Sequence, residues 1–328
     1  MLKHYEIVEK QFVESNLDLG RVVVAIGPDT PEQRFIQAQF RIDDYDLAST
    51  LDPDEVPRLE LVEGRLFLIW KVPFSATVVD TVELGVGVIG LAFTQDRLLY
   101  CRAAGEVSFS DREFRNVNST KDAMLAFLLR TVRHFVGHLR VIKQISSELE
   151  RKITVSMENR HLIQMFSLSE NLVYYVDAIE GNTAVLTKLR GLGAQIGFQA
   201  RHLEILDDII LENSQAARQA NIYSTVLSGL MDARGTIVNN NMNVLLKNLT
   251  LINIVFLPLN LIASIGGMSE WSMMTAHIDW RISYCLFSLI MVVLGWTTWV
   301  FMKRIIERHN PSPEESGLSP SPNRKDGQ

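Results

Sequence analysis

Residues 228–268 read SGLMDARGTIVNNNMNVLLKNLTLINIVFLPLNLIASIGGM, and this stretch decides the fold. No charged side chain occurs from 248 to 269, nor in a second stretch, 282–302. As a helix, each is long enough to cross about 30 Å of hydrocarbon. Trp271 and Trp280 stand near one end of the pair, Trp296 and Trp299 near the other, as an interfacial aromatic belt would place them. Lys247 precedes the first stretch and Lys303, Arg304 and Arg308 follow the second, whereas the connecting segment carries only Glu270, Asp279 and Arg281. The positive-inside rule then puts both chain ends in the cytosol and the loop outside. The competing reading is a hydrophobic hairpin buried in a soluble protein.

Within the first stretch the polar residues are ordered. Asn243, Leu246, Thr250, Asn253, Leu257, Asn260, Ser264 and Gly267 follow one another at alternating steps of three and four. This repeat of about 3.5 residues lines one seam of a helix, as it would around a shared axis. The other faces are mostly Leu, Ile, Val and Phe. Polar groups at bilayer depth are costly unless they meet partners or water. The seam is therefore either interhelical glue or one wall of a water-filled pore built from several copies. In the pore reading Leu246 and Leu257 form apolar rings that gate by expelling water; in the other they are packing knobs. Pro258 removes one backbone donor, which a membrane helix tolerates. The residues alone leave both readings open.

Working outward, no proline interrupts 194–257. A helix over this range and on through the membrane would exceed about 100 Å, so 194–247 is expected to be a stalk continuous with the first span, 248–268. Segment 269–281 is the extracytoplasmic loop, 282–302 the second span, and 303–328 a basic end and disordered tail rich in Pro, Ser and Gly. Upstream, 1–118 holds short apolar runs such as Val22-Val23-Val24 and Leu66-Phe67-Leu68-Ile69-Trp70, divided by turn residues. GVGVIGLAFTQDRLLYCRA reads as a hairpin turning at Gln95-Asp96. Gly85-x-Gly87-x-x-Gly90 spells a dinucleotide fingerprint but leads into a strand, so it carries no phosphate site. Over 119–193 the period becomes helical: Met124, Phe127, Leu128, Val132, Phe135, Leu139 and Ile142 recur at steps of three and four, with Ser119 or Thr120 as N-cap. A second helix runs through Leu162, Met165, Leu168, Leu172 and Tyr175, and Gly191-Leu-Gly193 is expected to close the region. The fold class is thus a cytosolic α/β/α domain of the α+β type, a long stalk helix and two transmembrane helices.

The bulk numbers exclude several classes. With 32 Lys and Arg against 38 Asp and Glu the chain is mildly acidic, without the clustered basic footprint of a nucleic-acid binder. Cys101 and Cys285 match no ligand or redox spacing. The first residues, MLKHYEIVEKQFVE, lack the apolar core of a signal peptide. No nucleophile constellation stands out, so no catalysis and no resident cofactor are expected.

The stretch quoted at the outset resembles the CorA family of divalent-cation transporters. Members carry an N-x-x-x-K-x-L-T run before the membrane, a Pro-Leu pair in mid-helix and a closing Gly-Met-Asn signature. Here Asn243, Lys247, Leu249, Thr250, Pro258, Leu259, Gly267 and Met268 occupy those places. The resemblance implies a homopentamer with a funnel-shaped cytosolic domain, a stalk helix that becomes the pore helix, a peripheral second span, and Asn243, Asn260 and Ser264 at pore-facing positions. It implies divalent metal ions and membrane lipid as partners, Mg²⁺ or another divalent cation as cargo, and the inner (plasma) membrane as location. One departure matters: Ser269 replaces the signature asparagine, whose amide ring holds the hydrated ion through its waters. Mg²⁺ dehydrates reluctantly, and a ring of shorter serine hydroxyls would be wider and less selective. Gly267, Met268, Ser269 and Glu270 thus form an altered pore mouth, where Glu270 can add carboxylates. The zinc-transporting ZntB branch also varies this motif.

Relatives use acidic residues as regulatory Mg²⁺ sensors; the matching candidates are Glu204, Asp207, Asp208, Glu212 and Asp232 on the stalk, which also read as a solvated helix face. His134 and His138, spaced i,i+4, can place two imidazoles on one metal or simply pack; His277 in the loop is a lone histidine. The expected function is passive movement of a divalent cation, Mg²⁺ foremost. The alternatives are a Zn²⁺ or other transition-metal transporter of the ZntB type, and a non-conducting membrane-anchored sensor or scaffold.

Overall fold

The apolar runs of the N-terminal region are continuous because both faces of their sheet are covered. In the computed structural model, which describes residues 1–15, 20–74, 77–78, 82–94, 96–155, 159–274 and 276–309, they form nine strands and two short helices. These are β1 (Leu2–Val8), β2 (Gln11–Ser15), β3 (Val22–Ile26), α1 (Thr30–Phe40), α2 (Asp44–Leu51), β4 (Arg58–Val62), β5 (Arg65–Pro73), β6 (Thr77–Val78), β7 (Val82–Glu83), β8 (Val86–Thr94) and β9 (Arg97–Arg102). Seven of them make one sheet in the order β2-β1-β3-β9-β8-β5-β4, while β6 and β7 pair separately. Only β3 and β9 run parallel among the sheet's pairings; the others are antiparallel.

Alternation along each strand sorts the side chains. Val23, Ala25, Phe67, Ile69, Val88 and Leu99 pack with Ile36 and Phe40 of α1 and Leu47 of α2. Val22, Val24, Leu66, Leu68, Trp70 and Leu98 point the other way, into a core shared with the long helices α3 (Thr120–Val155), α4 (Asn159–Ile196) and α5 (Ala200–Gly266). The result is an α/β/α sandwich. Cys101 lies on the first of these faces, and burial pushes its thiol up to about 12, which keeps it protonated.

The expected hairpin is β8–β9, with Phe93 opposite Leu98 and Thr94 opposite Arg97. Of its turn, Gln95 lies outside the described residues and Asp96 adopts φ +69°. The three fingerprint-like glycines have a steric cause instead of a phosphate role. A Cβ at Gly85 or Gly87 would overlap the Phe74 ring, and one at Gly90 would overlap Thr50 of α2.

Every residue of the helical series in α3, from Met124 to Ile142, is buried. Below the sheet, Phe135, Leu139 and Ile142 of α3 meet Met165, Leu168, Leu172 and Tyr175 of α4 and Ala216, Ala220 and Leu227 of α5. Ser119 caps α3 by accepting a hydrogen bond from Asp122 N at 3.1 Å. Asn182 of α4 is fully buried and pairs with the backbone of Lys71 in β5, accepting from its N at 3.0 Å and donating to its O at 2.9 Å. That clamp ties helix to sheet and satisfies both buried backbone groups.

The helical region closes later than Gly191-Leu-Gly193, both glycines lying inside α4. The stop is Gly197, at φ +74°, where Gly197 N donates to Ala194 O at 3.2 Å and Phe198 N to Gly193 O at 2.8 Å. This is a Schellman ending, which needs a left-handed residue that glycine adopts without penalty. The chain divides into two compact units, Met1–Ala233 and Arg234–Gln328, with residues of α5 in both. The expected disorder of the tail concerns residues that, from 310 onward, lie outside the described ones.

Candidate functional site

The second unit contains the remainder of α5, then α6 (Ser269–Met274) and α7 (Trp280–His309). Segments of α5 and α7 are long and apolar enough to cross a membrane. Their side chains are not withdrawn into a protein core: Leu257 is 71% exposed and Trp296 66%. An apolar surface of this extent is built for contact with lipid or other helices.

Two close approaches set the register of the hairpin. A Cβ at Gly295 would stand 3.3 Å from Leu259 Cδ1, and one at Gly266 would stand 2.8 Å from the Phe287 ring. On α5 the half-buried residues of this region are Leu251, Val255, Pro258, Leu259, Ile262 and Gly266. On α7 they include Ser283, Phe287, Met291, Leu294, Gly295 and Thr298. Each set is one helical stripe, and the two stripes face each other.

All eight seam residues, Asn243, Leu246, Thr250, Asn253, Leu257, Asn260, Ser264 and Gly267, are exposed. At about 100° per residue, the seam from Thr250 to Gly267 centres about half a turn away from the stripe covered by α7. The second span therefore lies on the back of the first, and the polar seam points away from it. One seam hydroxyl interacts with its own helix: Thr250 Oγ1 donates to Leu246 O at 2.8 Å. That proton is spent, so Thr250 turns only oxygen lone pairs outward.

The signature region is a break between helices. Gly267 N donates to Ala263 O at 3.1 Å and Ser264 O at 3.2 Å, and Met268 N to Ile265 O at 3.1 Å, tightening the last turn of α5. Ser269 then opens α6, so the segment expected as a loop over 269–281 begins with a short helix. The side chains of Glu270 and Trp271 lie outside the described ones. His277 is exposed.

In the first unit, the stalk carboxylates are not gathered into a site. Asp207 is engaged by Arg190, whose Nε and Nη2 donate to it at 2.6 and 3.1 Å, and this guanidinium holds the carboxyl below its usual range. Glu212 lies 3.5 Å from Arg133, which also meets Glu113 at 2.7 Å. Glu204, Asp208 and Asp232 are exposed. Among the described residues, no three His, Cys, Asp or Glu side chains come together to hold a metal. His134 and His138 do meet, with ring centroids 4.5 Å apart, but as an edge-on packing pair. His138 Nδ1 shares a hydrogen bond of 2.6 Å with the Tyr175 hydroxyl. Burial, with a smaller contribution from His134, pushes the His138 pKa down to about 4.

The residues alone carried the seam and the resemblance a peripheral second span, but neither named the residues that pack against the seam's back. The contacts of Gly266 and Gly295 leave only a faint signal, glycines within otherwise bulky apolar runs.

An α/β/α unit and a second unit with two membrane-length helices fit a protein of the two-span membrane class. The chain belongs to the CorA-like Mg2+ transporter protein family, whose model matches residues 23–304. Proteins of this family are ion transporters, not enzymes. The cobalt/magnesium transport protein CorA of Methanocaldococcus jannaschii is 23% identical over 279 residues, covering 81% of this chain and 86% of that protein. The complete structure of the CorA magnesium transporter from the same organism superposes with a TM-score of 0.73 at 20% identity, covering 92% of this chain and 96% of that one. The ZntB cytoplasmic domain of Vibrio parahaemolyticus superposes with a TM-score of 0.56 at 8% identity, covering 73% of this chain and 98% of that domain. At these identities the structural likeness bears on the fold alone.

Proposed function

We propose that several copies of this chain, five by family resemblance, surround a pore lined by the α5 seam and conduct a divalent cation, Mg²⁺ foremost. The observation that carries this reading is the seam's position, about half a turn from α7. Polar groups at membrane depth need partners or water, and the chain's own second span supplies neither. One protomer with two spans cannot enclose a pore, so further copies and water complete the surroundings. Asn243, Asn260 and Ser264 face the axis together with Thr250 and Asn253, and the oxygens of such residues suit a hydrated hard cation. Leu246 and Leu257 form apolar rings that gate by dewetting. Gly267, Met268, Ser269 and Glu270 form the mouth. Relatives named as cobalt/magnesium transport proteins support the choice of cargo.

Both termini are cytosolic and 269–281 faces outward, in the inner (plasma) membrane, following the distribution of Lys and Arg. The inside-negative potential then contributes about 2.3 kcal/mol per charge per 100 mV to entry. Glu204, Asp208 and Asp232, exposed on the stalk, are available to a regulatory cation shared with a neighbouring copy; Asp207 is held by Arg190. Ser269 favours one second reading, a Zn²⁺ or other transition-metal transporter of the ZntB type, because the magnesium-selecting amide is missing. The test is ion flux into liposomes carrying the purified protein, with Mg²⁺, Co²⁺, Ni²⁺ and Zn²⁺ in competition. Movement led by Mg²⁺ supports the proposal, preference for Zn²⁺ selects the second reading, and no movement of any of the four leaves a membrane-anchored sensor or scaffold.

A further inference from the structure

A cleft of about 490 Å³ opens in the first unit between the ends of β5 and β9, the segment after β9, and α3. Two guanidinium groups line it, Arg102 at the end of β9 and Arg130 of α3. Like charges brought into a partly enclosed space repel more strongly than in open water, because less solvent screens them. Their compensation is unequal. Arg130 Nε donates to Asp111 in an ion pair. Arg102 makes no ion pair among the described residues, and its Nε is buried without a hydrogen-bond partner.

The Arg102 fork is held in place without being neutralised. Its guanidinium carbon lies 5.2 Å from the centre of the Phe74 ring. Gly105, at φ +111°, lays its backbone alongside, where a Cβ would stand 3.0 Å from Arg102 Nη1. His134 also lines the cleft; burial first, then Arg130 and Arg102, lower its pKa, so it adds no charge near neutral pH. Glu106 is at the rim and exposed, where water screens it. An ordered cationic fork with an unused buried donor, beside the Tyr100 hydroxyl and between the apolar rings of Phe74 and Phe127, is the composition of a small-molecule site.

We propose that this cleft binds a small oxyanion, a carboxylate or a phosphate, gripped by the Arg102 fork with Arg130 beside it. The planar guanidinium matches both oxyanions in bidentate geometry. The site is separate from the seam and independent of which cation the protein conducts.

The test titrates the intact detergent-solubilised protein with inorganic phosphate and, separately, with citrate, at ionic strength matched by sodium chloride. Binding is read by calorimetry and by the shift of the thermal unfolding midpoint. At least one titration saturates, and Arg102→Gln weakens it by about tenfold or more, whereas Lys143→Gln on the exposed face of α3 leaves it unchanged. Saturation by phosphate alone assigns a phosphate ligand, and by citrate alone a carboxylate. No saturable response to either anion, or equal saturation in Arg102→Gln, overturns the proposal. Should Arg102→Gln not fold, Arg130→Gln decides: loss of the second guanidinium weakens the anion, and an unchanged affinity counts against the site.

Discussion

Gly266 of α5 stands against the ring of Phe287 of α7, so close that a methyl group at residue 266 would fall 2.8 Å from two ring carbons. Gly267, one residue on, has only its own helix's Ala263 O and Ser264 O near such a methyl, at 3.6 Å. Adjacent glycines thus serve opposite sides of one helix. Gly266 lets the two spans approach, and Gly267 lies on the uncovered seam.

Gly266→Ala should therefore destabilise the hairpin by about 1–3 kcal/mol through overpacking, while Gly267→Ala leaves the contact between the spans intact. Thermal unfolding of the detergent-solubilised protein measures the difference. A Gly266→Ala protein as stable as the parent would refute the packing described for Phe287.

Asn260 is exposed on the seam, and Asn260→Leu extends the apolar surface around Leu257. Drying this stretch of the proposed pore should cut cation flux at least about tenfold, a barrier of roughly 1.4 kcal/mol. Asn260→Gln, which keeps the amide, should retain most of the flux. Liposome assays on both variants, matched for folded protein, decide the matter; unchanged flux in Asn260→Leu removes the residue from the conduction path.

Ser269 follows the tightened end of α5 and opens α6. Restoring the family amide with Ser269→Asn should sharpen preference for Mg²⁺ over Zn²⁺ and Co²⁺, because an amide reaches further and presents both a donor and an acceptor to coordinated water. Competition curves before and after the change measure it. A flat result would move selectivity away from this position, with Glu270 the next to substitute.

His138 is neutral in the fold, its pKa lowered from the ordinary 6.5 to about 4 by burial and by His134. Its folded value lies below its unfolded one, so the unfolded chain binds the proton more readily. Stability owed to the neutral ring is complete above about pH 6.5 and is lost as pH falls towards 4. Unfolding midpoints across that window should slope less in His138→Gln, which keeps a partner for Tyr175. Identical slopes would show that other groups govern the acid limb.

Much of this was legible in the chain because it is a property of local pattern. The continuous apolar strands, the helical series from Met124 to Ile142 and the Asn243–Gly267 seam need only a period of two or about 3.5–3.6 residues to be read. Boundaries were harder to place. Gly191 and Gly193 resemble a stop but lie within α4, whereas Gly197 ends it, because a Schellman turn is chosen by the backbone angle and not by residue type alone. The helix at Ser269–Met274 was hidden in a segment too short for periodicity.

The metal-ligand patterns divide in the same way. Spacing alone made His134 and His138 a possible chelate, and the stalk acids a possible sensor. Only folding brought Tyr175 to His138 and Arg190 to Asp207, occupying groups that a sequence leaves open. Neither partner adjoins its residue in the chain, so no local pattern could have announced them.

By itself the sequence determined that two uncharged stretches are long enough to cross a bilayer, that the first carries a polar seam, and that Ser269 stands in place of a signature asparagine. The first two follow from side-chain chemistry and helical period, which are written one residue at a time; the third follows from the resemblance to the family. The tertiary structure alone decided which side of α5 the second span covers. That choice rests on Gly266 admitting Phe287 and Gly295 admitting Leu259, close packing between segments some tens of residues apart. Because those contacts lie about half a turn from Asn260, the seam keeps its face uncovered.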